Sequence, residues 1–437
     1  MRIRSRAICG ALALAALVPS PAFAQPAAPR NPFADLFGRA PQRTGREFTA
    51  IQFRSTAGAQ MGWTLENQFQ PPDTVIPEGW AAGADALIVA EYVRDRAQII
   101  GQGRYSYQEY RQEPSFGAPA LDAGLRINVR PVTRLSFQGG ANVSRSPFFQ
   151  LVWLAPPEQT GPLPPIDRSA ILLMQNDTVE ASGGVISHYS RRSSLEFSAV
   201  ARSTDFAYSP GRDFSSLGGT VQWRRQMSRD LSVHLGYGRE QLRQHFEDGD
   251  TLFTNERLDV GVEYGKSFTF ARRTSFGFGT ETSLLRENDG PRRFRLNGHV
   301  TLVHKFARTW QTQVSAWRGT EFLPGFRVPV YTDHAHALLA GYLAKRLLLN
   351  LNADGGQGQG GLSDPRKVIS YTGSAKVTLA MTRHLGMFGQ YAYYRYQMPA
   401  DPLTLFLVPA GARQAVSFGF ETWISILDKE KVTSDPR

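Results

Sequence analysis

The sequence predicts an all-β fold: a transmembrane antiparallel up-and-down β-barrel of about 16–18 strands. Three observations carry this. Apolar residues recur at every second position over long stretches, short arginine-bearing turns come at even intervals, and those turns alternate with longer polar loops.

The turns come first. LAMTRHLGMFGQYAYYRY, residues 379–396, places Thr382, Arg383 and His384 between two alternating stretches. Similar turns stand at Arg346, Arg308, Arg272, Arg229, Arg192, Arg134 and Arg94. The intervals run from 36 to 43 residues, apart from one of 58 that holds an insertion between Phe148 and Asn176. A period near 40 also suits a β-propeller, but a blade needs four short strands. Each interval here holds two.

The strands follow. Leu231, Val233, Leu235 and Tyr237 alternate with Ser232, His234, Gly236 and Gly238. Leu258, Val260, Val262 and Tyr264 alternate with Asp259, Gly261, Glu263 and Gly265. Leu121, Ala123, Leu125, Ile127 and Val129 alternate with Asp122, Gly124, Arg126 and Asn128. Side chains on a strand point to opposite faces in turn, so each stretch has one apolar and one polar face. Stretches of about 10 to 13 residues exceed the usual five or six of soluble sheets. They match the 9 to 11 that a tilted strand needs to cross a bilayer. Two strands lie in each of the seven intervals, two follow Arg383 and at least two precede Arg94. That makes 18, with Glu47 to Arg54 as an extra or replacement strand.

The loops complete the unit. Ser209–Asp213, Asp248–Asp250, Glu287–Pro291 and Asp354–Asp364 are polar or rich in Gly and Pro. The run Gly355–Gly361 lacks the Lys and following helix of a phosphate loop and reads as an external loop. Short turns on one side and longer loops on the other are the asymmetry of outer-membrane barrels. Trp223, Tyr237, Tyr264, Trp310, Tyr391, Tyr393, Tyr394 and Tyr396 lie towards strand ends, where an interfacial aromatic girdle would sit.

On these features residues 47–427 resemble the porin-like bacterial outer-membrane β-barrels. The segment Ala412–Leu427, with Val416, Phe418, Phe420, Ile424 and Ile426 on one face, looks like the terminal strand that barrel-assembly machinery recognises. It departs from that pattern at Thr422 and in the charged tail 428–437. The resemblance implies a Gram-negative outer-membrane location, lipid and assembly machinery as partners, and passive passage of small solutes without cofactor or covalent chemistry. Two other roles remain open: a structural or partner barrel of an envelope polysaccharide-export system, and a rim-located hydrolase.

The ends fit an exported protein. MRIRSR, an apolar core from Ala7 to Val18, and Ala22-Phe23-Ala24 have the layout of a cleavable signal peptide, with the cut after Ala24. Cys9, the one cysteine, lies inside that core, so disulfides, thiolate metal sites and cysteine nucleophiles are excluded from the mature chain. Residues 25–46 read as a Pro-rich periplasmic lead-in.

Chemistry-bearing patterns are sparse. The motifs G-x-S-x-G and H-E-x-x-H are absent. Asp333-His334-Ala335-His336 puts two histidines on one strand face, which lacks a third ligand for a metal. The polar faces instead carry charges expected to line a lumen: Arg126, Arg202, Arg224, Arg239, His299 and Lys305, against Asp259, Glu263, Glu281 and Glu421. Lumen charges set ion preference, and this set points to a mild preference for anions. No nucleic-acid partner is implied; much of the +11 formal charge lies in the turns. The insertion at 148–176, rich in proline, reads as an extracellular loop, with a pore-narrowing loop as the alternative.

Overall fold

The structure is a computed structural model and describes residues 47–67, 79–110, 116–146, 176–206, 213–228, 230–246, 249–267, 274–287, 293–306, 309–321, 330–360, 367–397 and 411–431. The signal segment, the lead-in, the insertion with its proposed narrowing role, and the last six residues lie outside them.

The described residues form eighteen strands. They are β1 Glu47–Asn67, β2 Gly79–Arg94, β3 Ala97–Tyr110, β4 Phe116–Val132, β5 Leu135–Ser146 and β6 Asn176–His188. Next come β7 Ser193–Phe206, β8 Phe214–Gln226, β9 Leu231–Phe246, β10 Gly249–Ser267, β11 Thr274–Glu287 and β12 Arg293–Phe306. The last six are β13 Trp310–Glu321, β14 Val330–Ala344, β15 Leu347–Gly360, β16 Lys367–Ala380, β17 Leu385–Gln397 and β18 Gly411–Lys431.

Each strand pairs antiparallel with its chain neighbours, and β1 pairs with both β2 and β18, so the sheet closes on itself. The N-terminal stretch at Glu47 is therefore part of the closing strand and not a supernumerary one. All eight arginine-marked reversals fall between an even-numbered strand and the next odd-numbered one. Arg229, Arg272 and Arg308 themselves lie outside the described residues.

Burial is inverted relative to a soluble domain. Leu121, Leu125, Val143, Leu217, Leu235, Leu258, Val260, Val314, Phe418 and Phe420 are exposed, while Thr178, Ser198, Asn255, Thr332 and Ser370 on the opposite face are buried. An apolar exterior on a closed sheet is the surface that lipid covers, and closure leaves no unpaired edge in the hydrocarbon. Apolar residues of β18 behave as a lipid-facing row: Val416, Phe418, Phe420, Ile424 and Ile426 are all exposed.

The turn side carries an aromatic belt. Trp223 donates its indole N–H to the Tyr189 hydroxyl. Tyr264 and Phe278 lie 6.1 Å apart, and Phe306 stacks on Trp310 at 5.9 Å. Tyr394 breaks the expected pattern: it is buried on the inner face, because it has opposite parity to the exposed Tyr391.

The glycine run is the second correction. Residues 354–360 are not a loop but the outer end of β15, paired to β14 throughout and to β16 as far as Gln359. Glycine has no polar or apolar signature, so alternation vanishes from the sequence there while the pairing continues.

The closing seam has its own demand for glycine. A Cβ on Gly419 would sit 2.2 Å from the Ala57 carbonyl oxygen, and one on Gly58 would sit 2.6 Å from that of Phe418. The two chain ends are joined by backbones too close for side chains.

Candidate functional site: the charged lumen wall

Alternation from the exposed apolar residues assigns each charge to a face. On the inner wall two clusters stand on nearly opposite sides of the ring, one on β8–β10 and the other on β16, β18 and β1.

The first cluster is acidic. Arg224 pairs with Glu263 at 3.1 Å, and Ser232 donates to the same carboxylate at 3.3 Å. His234 meets Asp259 at 2.8 Å, and Gln222 donates its side-chain N–H to the other Asp259 oxygen. Farther out, Arg257 pairs with Glu240 at 3.2 Å. The wall is irregular here. β10 runs six residues from Leu258 to Tyr264 while β11 runs four from Thr282 to Phe278. The extra pair of residues in β10 forms a bulge of the kind that re-aims side chains beside functional sites. Thr282 donates its hydroxyl to the Leu258 carbonyl, which holds the mouth of the bulge. A Cβ on Gly261 would strike both the Thr280 carbonyl and the His234 ring, so the histidine has its place only because residue 261 is glycine.

The second cluster is basic. Glu421 lies 3.1 Å from Arg54 and 3.0 Å from Lys376, and accepts from the Trp423 indole at 3.1 Å. Arg54 lies 5.4 Å from the Trp423 ring, and Lys376 lies 4.6 Å from the Phe388 ring. The Arg54 and Glu421 side chains are only 5% and 7% exposed. Two cations around one carboxylate leave this patch net positive. Arg104 pairs with Asp85 on the neighbouring wall, and Asn142 donates to Asp122 at 3.1 Å.

The charges expected from sequence are thus spread over several situations. Arg224, Asp259, Glu263 and Glu421 sit in the two clusters. Arg126, Lys305 and Glu281 face inward without an ion-pair partner among the described residues. Arg202 also faces inward, its guanidinium 5.8 Å from the Phe214 ring. His299 faces inward over Gly279, whose absent Cβ leaves room for the imidazole. Arg239 differs from its expected place. It shares parity with the exposed Leu235 and Tyr237, pairs in unbroken register with Glu256, and lies on the outer face.

Arg54, Asp85, Arg104 and Lys376 are inward charges beyond the set expected from sequence, although their parity against lipid-facing neighbours marks them; His234 stands on the polar face that alternation assigns it, and Asp354 lies in a strand and not in a loop. Of the two expected histidines, His336 lies 3.9 Å from Asp354, and His334 stacks on Trp317 at 4.0 Å. Asp333 is on the other face, so the tetrapeptide is no joint ligand set. Among the described residues no three potential metal ligands come together.

The sequence matches no protein-family model and no curated protein. Several solved structures are similar in shape. Pseudomonas aeruginosa OccK11 (OpdR) aligns with a TM-score of 0.44 and 9% identity, over 88% of this chain and 99% of that one. Acinetobacter baumannii OccAB4 gives 0.43 and 10%, over 88% and 100%. The copper transporter OprC gives 0.45 and 11%, over 88% of this chain and 66% of its own.

Proposed function

We propose that the protein is an outer-membrane channel that passes small hydrophilic solutes along the barrel axis by diffusion. The observation that carries this reading is the inversion of polarity: exposed apolar side chains outside, and charged and hydrogen-bonding side chains inside. A buried charge is costly in a dry interior, so a wall carrying Arg126, Arg202 and Lys305 without an ion pair among the described residues is suited to water. An 18-stranded barrel has room for an aqueous lumen. The opposed acidic and basic clusters would orient a dipolar or charged solute in transit, cationic groups towards β8–β10 and anionic groups towards β16–β1.

Pairing limits selectivity. Among the described residues, the inward charges without an ion-pair partner include Arg126, Arg202, Arg295 and Lys305, against Glu180 and Glu281. That supports a weak preference for anions. Conductance in planar bilayers is the test. Stepwise insertion of ohmic channels, with a reversal potential displaced slightly towards anions in a salt gradient, is the expected result. A correctly folded barrel that never conducts would overturn the proposal, and strong cation selectivity would overturn the assignment of its charges.

A further inference from the structure

One seam of the wall is incomplete. β12 and β13 pair from Phe306↔Trp310 as far as Gly298↔Arg318 and no farther. Above that point β12 continues to Arg293 paired with β11, and β13 continues to Glu321 paired with β14. Continued register would have joined Leu296 to Thr320. Instead Thr320 is buried, with its hydroxyl 3.4 Å from that of Ser283 on β11, beyond β12. Asn297 donates to the same Ser283 oxygen at 3.2 Å. The Arg295 guanidinium sits 4.3 Å from the Tyr331 ring of β14. The outer ends of β13 and β14 therefore lean across the inner face of β12 and part from its edge.

A groove opens where the strands part. It has a volume of about 640 Å³ and is lined from both sides of the wall. Outward-facing Ala316, Ala335 and Gly355 give it a flat apolar floor, with Tyr371 at one side. Inward-facing Asn297 and His334 also border it. The exposed Leu296 gives it an apolar lip, and the exposed Phe294 lies two residues farther along the same face of β12. Arg318, Asp333 and Gln357 make a polar crossbar on the outer face, with Arg318 donating to both Asp333 oxygens and Gln357 donating to one at 2.9 Å. Arg318 stands eight residues beyond Trp310, about 20 Å along the membrane normal for a tilted strand. The opening is thus level with the outer headgroup boundary, where one side is hydrocarbon and the other water.

We propose that this gap is a lateral window that binds a single-chain amphiphile with a carboxylate head, the alkyl chain lying in the groove and the head reaching Arg295. The apolar floor faces the hydrocarbon layer and takes the chain. Arg295 projects from the inner face of the parted segment of β12 onto the Tyr331 ring, which stands on the same face of β14 as Asp333 and Ala335; it makes no ion pair among the described residues and keeps its planar donor fork for a carboxylate. The proposal rests on the barrel spanning a membrane and is independent of whether small solutes pass along its axis.

The test uses the full-length barrel in phosphatidylcholine nanodiscs with dodecanoate carrying a terminal diazirine. Photolabelling should concentrate on residues 296–300, 316–318, 333–335 and 355–357, and unlabelled dodecanoate should compete while dodecanol competes poorly. Arg295→Ala should lower the labelling by about tenfold, as expected for loss of a charge-assisted bidentate contact. A disulfide between Leu296→Cys and Thr320→Cys should lower it reversibly while ion conductance persists. Labelling spread around the wall in proportion to apolar surface, or insensitive to Arg295→Ala, would overturn the window. Specific labelling by a barrel that fails to conduct would retain the window and sink the axial channel instead.

Discussion

Two seams of the same cylinder behave in opposite ways. β1 and β18 come from opposite ends of the chain and nevertheless pair along their whole length, from Glu47↔Lys431 to Asn67↔Gly411. β12 and β13 are three residues apart in the chain and nevertheless part above Gly298↔Arg318. Proximity in sequence is no guide to which strands seal. At the first seam, glycines remove side chains from a backbone approach, and the Arg54–Glu421–Lys376 group bridges β1, β18 and β16 from inside. At the second, contacts to Ser283 and Arg295 hold β13 and β14 against the inner wall, and among the described residues the β12 edge beyond Gly298 is unpaired with β13. Closure is needed everywhere that hydrocarbon touches backbone. Between β12 and β13 it is relaxed towards the outer boundary.

The contrast can be broken most severely at the closing seam. Gly419→Val would drive its side chain into the Ala57 carbonyl and the Gly58 backbone, and overpacking there should cost about 3 kcal/mol or more. A lower yield of folded barrel, read from its β-sheet circular dichroism in lipid, is the expected outcome; a normal folded yield would refute the close approach. Glu421→Ala comes next, since it strands two cations, one of them 5% exposed, and breaking a buried group of this kind costs about 3–5 kcal/mol. Denaturant unfolding in lipid should register it. Glu263→Gln, by comparison, alters a pair whose side chains are each 36% exposed, and should cost under about 1 kcal/mol. Equal losses for Glu421→Ala and Glu263→Gln would erase the distinction between a sealed and a water-facing cluster. Hydrogen exchange gives the finest comparison: amides of 293–297 facing β13 should exchange fast while those of β1 facing β18 stay protected.

Much of the cylinder was legible because lipid imposes a simple rule. An outward side chain must be apolar, so Leu121, Leu125, Leu235 and Leu258 announce both their strands and their faces. The turn arginines were legible for the same reason, since polar residues return where the chain leaves hydrocarbon. Glycine carries no such mark, and Gly355–Gly360 reads as a loop although it is a strand, paired on both edges as far as Gln359. Arg239 was misplaced because a charge invites the lumen; its parity with Tyr237 points outward, beyond the apolar band. The pairing of Arg54 with Glu421, 367 positions apart, and of His234 with Asp259 depends on register between strands, which no single segment encodes. The parting of β12 from β13 is equally hidden, since both segments alternate normally.

Cysteine accessibility along β4 tests the central claim, a water-facing interior behind a lipid-facing exterior, most directly. The mature chain predicted here holds no cysteine, so single substitutions at Leu121, Asp122, Leu125, Arg126, Ile127 and Asn128 report without background. In proteoliposomes a membrane-impermeant maleimide should modify the variants at Asp122, Arg126 and Asn128 and spare those at Leu121, Leu125 and Ile127. Uniform labelling, or the reverse alternation, would contradict the account.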